Sequence, residues 1–146
     1  MRVMYVKTDP LGSGHKFWFP LYIYPTTKEL QQAAKRFNPN ESDAEFWEDC
    51  YGCFHPSNSW RYDRKGRPQR TPRTSFIGVM RLTTEHLDPG IVVHESGHAA
   101  IALVKALRLT NGFKVGDSNI VAEEMLCYSV QEISMAIMKH LGMVPN

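Results

Sequence analysis

Long hydrophobic runs are missing from this 146-residue sequence. No segment reaches the run of about 20 apolar residues that a helix needs to cross a bilayer. Residues 1–7 are followed at once by charged and turn-forming residues, unlike the uninterrupted apolar core of a secretory signal. We therefore predict a cytoplasmic protein that makes no contact with a membrane.

Cysteine is scarce, and so is net charge. With three cysteines and no export signal, the thiols are expected to stay free or to bind metal. A formal net charge of +2 is too small to indicate a partner. The content of 42% apolar and 22% charged residues is ordinary for a globular protein and excludes a disordered chain. At this length we expect a single domain spanning 1–146.

The N-terminal part has the composition of a small sheet. Residues 1–7 are rich in valine and tyrosine, and residues 16–24 form an aromatic and β-branched run, so both predict strands. Pro20 predicts that the second strand lies at an edge, because proline cannot donate a hydrogen bond to a ladder. Thr27 is expected to cap a helix over 28–37.

The middle of the chain is mostly polar. A short amphipathic piece is predicted over 43–50, followed by a long, basic, proline-containing loop over 55–74. Residues 75–82, Ser-Phe-Ile-Gly-Val-Met-Arg-Leu, predict a strand.

Two long helices are predicted at the C-terminal end. Asp88 serves as the cap of the first, which begins with Pro89 and runs to about residue 107, and the second covers about 120–141. Strands early in the chain, then a strand that leads into two helices, predict an α+β domain. In it, a short N-terminal and central β-sheet packs on the two C-terminal helices.

The first long helix contains His94-Glu95-Ser96-Gly97-His98. Its apolar residues surround nearly the whole circumference, which predicts a central, buried helix. Histidines four residues apart share one helix face, so both imidazoles can reach one tetrahedral zinc ion. A carboxylate buried beside them would be costly without a compensating cation, and Glu95 is placed to take a proton from metal-bound water.

A catalytic zinc ion needs a third protein ligand. The residues after His98 are Ala-Ala-Ile-Ala-Leu, so the histidine of a metzincin is missing. Glu123 and Glu124, which head the last helix, are the best source. Glu124 shares a helix face with Cys127 and Tyr128, whereas Glu123 aligns with a more apolar stripe, and periodicity alone slightly favours Glu123.

These residues resemble the gluzincin metallopeptidases, in which His-Glu-x-x-His precedes a glutamate on a later helix. The chain is still more similar to small bacteriophage proteins that share 76–82, 87–90, the motif and the Glu124 to Tyr128 segment. The likeness covers roughly the C-terminal half. It implies a zincin-like fold, host-cytoplasmic location, Glu124 as the third zinc ligand, and strand 75–82 as a partner for an extended substrate.

The gluzincin pattern also implies a residue that stabilises the oxyanion. No residue can be assigned to this role by spacing. Tyr128 and His55 are the candidates, the first on the last helix and the second on the long loop.

Two weaker patterns suggest other sites. Cys50, Cys53 and His55 could supply three ligands of a second, structural zinc ion, although free thiols are preferred and a disulfide is disfavoured in the expected compartment. The basic stretch 60–73 interleaves arginines with Trp60 and Tyr62, a composition that suits nucleic acid but is more often a solvated loop.

The sequence therefore predicts a zinc-dependent metallohydrolase, a peptidase acting on a peptide or protein substrate. His94, His98 and Glu124 are the predicted metal ligands, Glu95 the general base and Tyr128 a further catalytic residue. A zinc-stabilised binding module without turnover is the main alternative, and a nucleic-acid-binding protein is a second one. The sequence does not indicate an oligomeric state.

Overall fold

A computed structural model describes most of the chain. The described residues are 1–9, 12, 16–37, 50–57, 61–62, 64–65, 68–69, 75–111 and 119–145. The short amphipathic piece predicted over 43–50 lies outside them except for its last residue. The segment 112–118, between the two long helices, also lies outside them.

Six strands and three α-helices are present in the described part. They are β1 (Arg2–Thr8), β2 (Phe17–Tyr24), α1 (Thr27–Phe37), β3 (Gly52–Pro56), β4 (Arg61–Tyr62), β5 (Pro68–Gln69), β6 (Gly78–Thr83), α2 (Pro89–Asn111) and α3 (Asn119–His140), with a single 3-10 turn over Thr84–His86. The fold is thus α+β, as the element order of the sequence predicts.

A four-stranded sheet in the order β1-β2-β6-β3 forms the centre of the fold. β1 is antiparallel to β2, β2 is parallel to β6, and β6 is antiparallel to β3. Helix α1 packs on β2 and β6. Helices α2 and α3 pack on each other and share the main hydrophobic core with the sheet, α2 against β3 and β6 and α3 against β1.

The strand that contains Pro20 is an interior strand, so the predicted edge position is wrong. Trp18 donates to Ser75 and accepts from Ile77 on the β6 side, and by alternation the Pro20 nitrogen faces the same side. The register shifts by one residue between the Trp18–Phe76 bridge and the Leu21–Met80 pair. This irregularity lies where proline lacks a donor, which explains how the strand tolerates it.

The boundaries of the helices follow local signals. In α1 the cap is Thr26, not the predicted Thr27, because Thr26 Oγ1 accepts from Glu29 N at 3.2 Å. Thr27 instead donates from both its amide and its hydroxyl to Glu85, which lowers the pKa of that carboxyl. In α2, Asp88 Oδ1 accepts from Ile91 N at 2.9 Å, which confirms the predicted cap.

The sequence pattern predicts that α2 is buried on nearly every side, and this prediction is wrong. Val92, Ala99 and Leu103 lie in the core. One stripe along the helix is exposed to solvent and comprises Gly90, Val93, His94, His98, Ile101 and Lys105. The apolar Val93 and Ile101 on this stripe are 44% and 45% exposed, and they are the reason that the pattern suggests burial on every side. No helix in the described ranges combines the length and apolarity needed to cross a membrane.

Candidate active site

The two histidines of the motif lie together on the exposed stripe of α2. The ring centres of His94 and His98 are 5.0 Å apart, and the planes are inclined by 72°. Two imidazole nitrogens bound to a tetrahedral zinc ion at ~2.0–2.1 Å would place their ring centres about 5 Å apart. The spacing of the pair is therefore compatible with two ligands of one zinc ion.

Both imidazoles face solvent, which corrects the expectation that they lie in the hydrophobic interior. The side chain of His94 is 69% exposed, and His98 is also exposed. Of the titratable members of the motif, only Glu95 lies in the interior, beside the buried Ser96. The physical argument for a compensating cation thus depends on Glu95 alone.

Glu95 is buried between α2 and the sheet. The residue is only 4% exposed, and its Oε2 atom makes no hydrogen bond. Its Oε1 atom lies 3.9 Å from His94 Nε2. Burial raises the pKa of the Glu95 carboxyl to about 7. A carboxyl group with this pKa can both accept and return a proton near neutrality.

Helix α2 contacts several elements of the fold. The strand β3 packs on α2 on the side of Glu95, where Gly52 lies against the Glu95 side chain. The strands β5 and β6 and the helix α3 contact α2 as well, and α3 also contacts β1 at the other edge of the sheet. The histidine pair faces solvent on this helix.

The predicted third ligand lies on the exposed face of α3. Glu123 and Glu124 are both exposed, as are Cys127 and Tyr128. The helix thus presents Glu124, Cys127 and Tyr128 on one face, as the spacing predicts, but the structure does not bring Glu124 and the imidazoles together. Within the described ranges, no three His, Cys, Asp or Glu side chains converge in a way that could hold a metal. The third ligand stays a prediction.

The candidates for oxyanion stabilisation differ in position. Tyr128 is 58% exposed on α3. His55 is 5% exposed, and it lies on the face of the sheet covered by α1, since Phe54 beside it points into the core on the α2 side. Its Nδ1 accepts from Arg81 Nη1 at 3.2 Å. Burial and the Arg81 charge lower the pKa of His55 to about 4. His55 therefore has a structural environment on the far side of the sheet.

The two cysteines near His55 are free thiols. Cys53 is buried against Ala34, with Cys50 packed beside it. The pKa of the Cys53 thiol is raised, mainly by a hydrogen bond with Cys50 and secondly by burial. Because metal ligands must be thiolates, this environment does not favour the second zinc site, which stays an untested prediction.

Part of the basic stretch adopts regular structure. The predicted loop over 55–74 contains the end of β3 and the short antiparallel pair of β4 and β5. Arg64 and Lys65, at the turn between them, are exposed. The remainder of the stretch lies outside the described residues.

Sequence reasoning missed Gly52 as part of the site. The only signal was a glycine between Cys50 and Cys53, and it begins a strand that was itself not predicted. No pattern in the sequence indicated that this strand would pair with β6 and lie beside α2.

Comparisons with known proteins match the chain to no family model, no curated protein and no solved structure. The function must therefore be inferred from the residues and from their geometry.

Proposed function

We propose that this protein is a zinc-dependent metallohydrolase, a cytoplasmic peptidase of the gluzincin type. One observation carries the proposal. Glu95 is a buried carboxylate with a hydrogen-bond-free oxygen, and its other oxygen lies 3.9 Å from His94, one of two exposed imidazoles whose spacing suits one zinc ion. A single domain over 1–146 with a zincin-like arrangement of sheet and active helix belongs to the same proposal.

The burial of Glu95 supports a chemical role. An ionised carboxylate in a protein interior is normally paired or accepts several hydrogen bonds, because its desolvation costs several kcal/mol otherwise. Glu95 Oε2 has no such partner. Unsatisfied buried groups of this kind occur where catalysis requires a shifted pKa.

The zinc ion would be held by His94, His98 and Glu124, with Glu123 as the alternative to Glu124. The two imidazoles are neutral nitrogen ligands from one helix, and the carboxylate would come from α3. When bound, zinc polarises the carbonyl of the substrate and makes a water molecule more acidic. These ligands would hold the ion near Glu95.

Glu95 acts as the general base and then as the general acid. Its carboxylate removes a proton from the attacking water and later delivers that proton to the leaving nitrogen. The raised pKa of about 7 suits both steps, since neither protonation state is strongly favoured at neutral pH. Tyr128 supplies a phenolic hydroxyl that could donate to the oxyanion from α3.

An extended peptide is the substrate class that suits an edge strand beside the motif helix. The strand over 75–82 was predicted to pair with it, but β6 is bonded on both sides and has no free edge. β3 is instead the last strand of the four-stranded sheet, and it packs directly on α2. We assign the pairing of the substrate to β3, because among the described strands it is the edge strand that packs on α2.

Metal analysis tests the ligands. The purified protein, loaded with zinc and dialysed, should retain about one zinc ion per chain. The double variant His94→Ala/His98→Ala should retain almost none. His140→Ala, which removes an exposed histidine from the end of α3, is the matched control and should retain zinc. Equal zinc content in all three proteins would exclude the site.

Hydrolysis tests the general base. With a mixed peptide library as substrate and mass spectrometry as the readout, Glu95→Gln should lower the cleavage rate by about 100-fold to 10,000-fold. Zinc content should not change, because Glu95 is not a ligand. The alternative, a zinc-stabilised binding module, predicts a different result. In that case the unaltered protein binds zinc but cleaves no peptide, and Glu95→Gln has the same biological effect as the unaltered protein.

A further inference from the structure

The edge strand begins with a glycine at which a side chain would be in tight contact with its neighbours. A Cβ atom at Gly52 would lie 3.2 Å from both Ile91 Cγ1 and Leu82 Cδ2, and 3.3 Å from Glu95 Cγ. Ordinary carbon–carbon contacts are about 3.5–4.0 Å. The main chain of β3 therefore packs directly on the stem of Glu95.

Space, and not backbone conformation, is the reason for a glycine here. The described glycines with a positive φ are Gly12, Gly78 and Gly142. Gly52 is not among them, so another residue could adopt its backbone conformation. A Cβ here would fit between the strand and α2 only if the side chains of Ile91, Leu82 and Glu95 moved by a few tenths of an ångström.

The contact matters because little else fixes Glu95. Its Oε2 atom makes no hydrogen bond, and its Oε1 atom is 3.9 Å from His94 Nε2. The position of the carboxylate along the side of α2 is thus set by the packing of its methylene groups. Gly52 contributes the surface on which those groups rest.

We propose that Gly52 is a positioning residue for Glu95, an inference that rests on the proposed function. By lacking a side chain it lets β3 approach α2 closely enough to hold the Glu95 carboxylate beside the histidine pair. The same glycine belongs to the strand assigned to pair with the substrate. It therefore sets the distance between the general base and the peptide bond to be cleaved.

The test uses Gly52→Ala, with Gly97→Ala as the matched control. Both variants add one methyl group, but a Cβ at Gly97 has nothing within 4 Å. Gly52→Ala should lower the Tm of the metal-free protein by about 5 °C. Gly97→Ala should leave the Tm unchanged or raise it, because alanine favours a helix.

The same substitution is also tested in the Glu95→Ala variant, which keeps the experiment informative if Gly52→Ala alone folds poorly. In Glu95→Ala the stem that the new methyl group would meet is absent. Adding Gly52→Ala to this background should therefore lower the Tm by less than it does in the unaltered protein, although the contacts with Ile91 and Leu82 remain. Equal drops in both backgrounds would overturn the contact between Gly52 and Glu95.

Spectroscopy and kinetics separate positioning from general damage. The carboxyl ¹³C resonance of Glu95, assigned by its loss in Glu95→Gln, should move in Gly52→Ala. On a cleaved peptide, kcat should fall by about 10-fold to 100-fold, whereas KM and zinc content should stay close to those of the unaltered enzyme.

The outcomes distinguish the two proposals. An active enzyme in which Gly52→Ala leaves the resonance and kcat unchanged overturns the positioning role and leaves the peptidase intact. The opposite outcome is also possible to observe: the Tm values show the coupling and the Glu95 resonance moves, but the unaltered protein hydrolyses no peptide. That result overturns the proposed peptidase function, and with it the catalytic role of the contact between Gly52 and Glu95.

Discussion

The two faces of the central sheet differ in the partners that they provide for a buried charged side chain. On the face covered by α1, Arg81 is 7% exposed, donates to His55 Nδ1, and lies 4.9 Å from the Phe37 ring centre and 5.9 Å from that of Tyr22. On the face covered by α2, Glu95 is 4% exposed and its Oε2 atom has no hydrogen bond.

The difference indicates which charge is structural. Arg81 Nε also makes no hydrogen bond, but the guanidinium as a whole has an acceptor and two aromatic faces that offset part of its desolvation. Glu95 has only a distant imidazole. A fold that supplies partners for one buried charge and leaves the other open suggests that the second is kept for chemistry.

Removing Arg81 should have the largest effect on stability. Arg81→Ala leaves His55 without its donor and opens a cavity beneath Phe37, so the free energy of unfolding should fall by about 3 kcal/mol or more. Arg81→Met, which retains much of the packing volume, should cost less. Urea titration measures both, and equal costs would show that packing contributes nothing to the role of Arg81.

The pH dependence of stability should separate the two faces. His55 has a pKa lowered from 6.5 to about 4, so the unfolded chain binds more protons between these values and stability rises with pH there. Glu95 has a pKa raised from 4.5 to about 7, so the folded chain binds more protons and stability falls with pH in that window. Each contribution is about 3 kcal/mol, and the two oppose each other.

Single variants of the metal-free protein should reveal how each group changes the pH dependence of stability. Relative to the unaltered chain, Glu95→Gln should gain stability as pH rises from 4.5 to 7. His55→Gln should lose stability, again relative to the unaltered chain, as pH rises from 4 to 6.5. Denaturant titrations in EDTA at several pH values provide the measurement. Parallel pH curves for all three proteins would contradict both assignments.

A buried hydroxyl beside Glu95 should show a smaller effect. Ser96 is fully buried, and its Oγ makes no hydrogen bond, so Ser96→Ala should increase the free energy of unfolding by about 1 kcal/mol. Ser129 is equally buried but donates to the Met125 carbonyl at 2.7 Å. Ser129→Ala should therefore increase the free energy of unfolding by less than Ser96→Ala does. A larger increase for Ser129→Ala would show that the missing hydrogen bond of Ser96 does not decide the effect.

The exposed histidines should have the smallest effect on the metal-free fold. His94→Ala/His98→Ala removes two solvent-facing side chains, so stability in EDTA should change by no more than about 0.5 kcal/mol. With zinc present, only the unaltered chain should gain stability through binding. A large loss in EDTA would mean that the imidazoles have a structural role that their exposure does not indicate.

Much of the fold could be predicted from the pattern of the sequence. Strands near 1–7, 16–24 and 75–82 are present, and so are the helix after Thr26 and the two long helices. β3 was missed because Gly-Cys-Phe-His-Pro contains no β-branched residue, and its strand conformation depends on pairing with β6. The site was predicted in part, since the imidazoles come together but Glu124 is not brought to them.

The sequence by itself determined the helix that carries the motif and the neighbourhood of the two imidazoles. Both follow from local rules, because the Asp88 cap fixes where α2 begins and the helical repeat places residues four apart on one face. Only the tertiary structure decided that Glu95 points inward while His94 and His98 face solvent. Burial depends on which side of α2 the sheet and α3 cover, and the core that contains Val92, Ala99 and Leu103 sets that orientation.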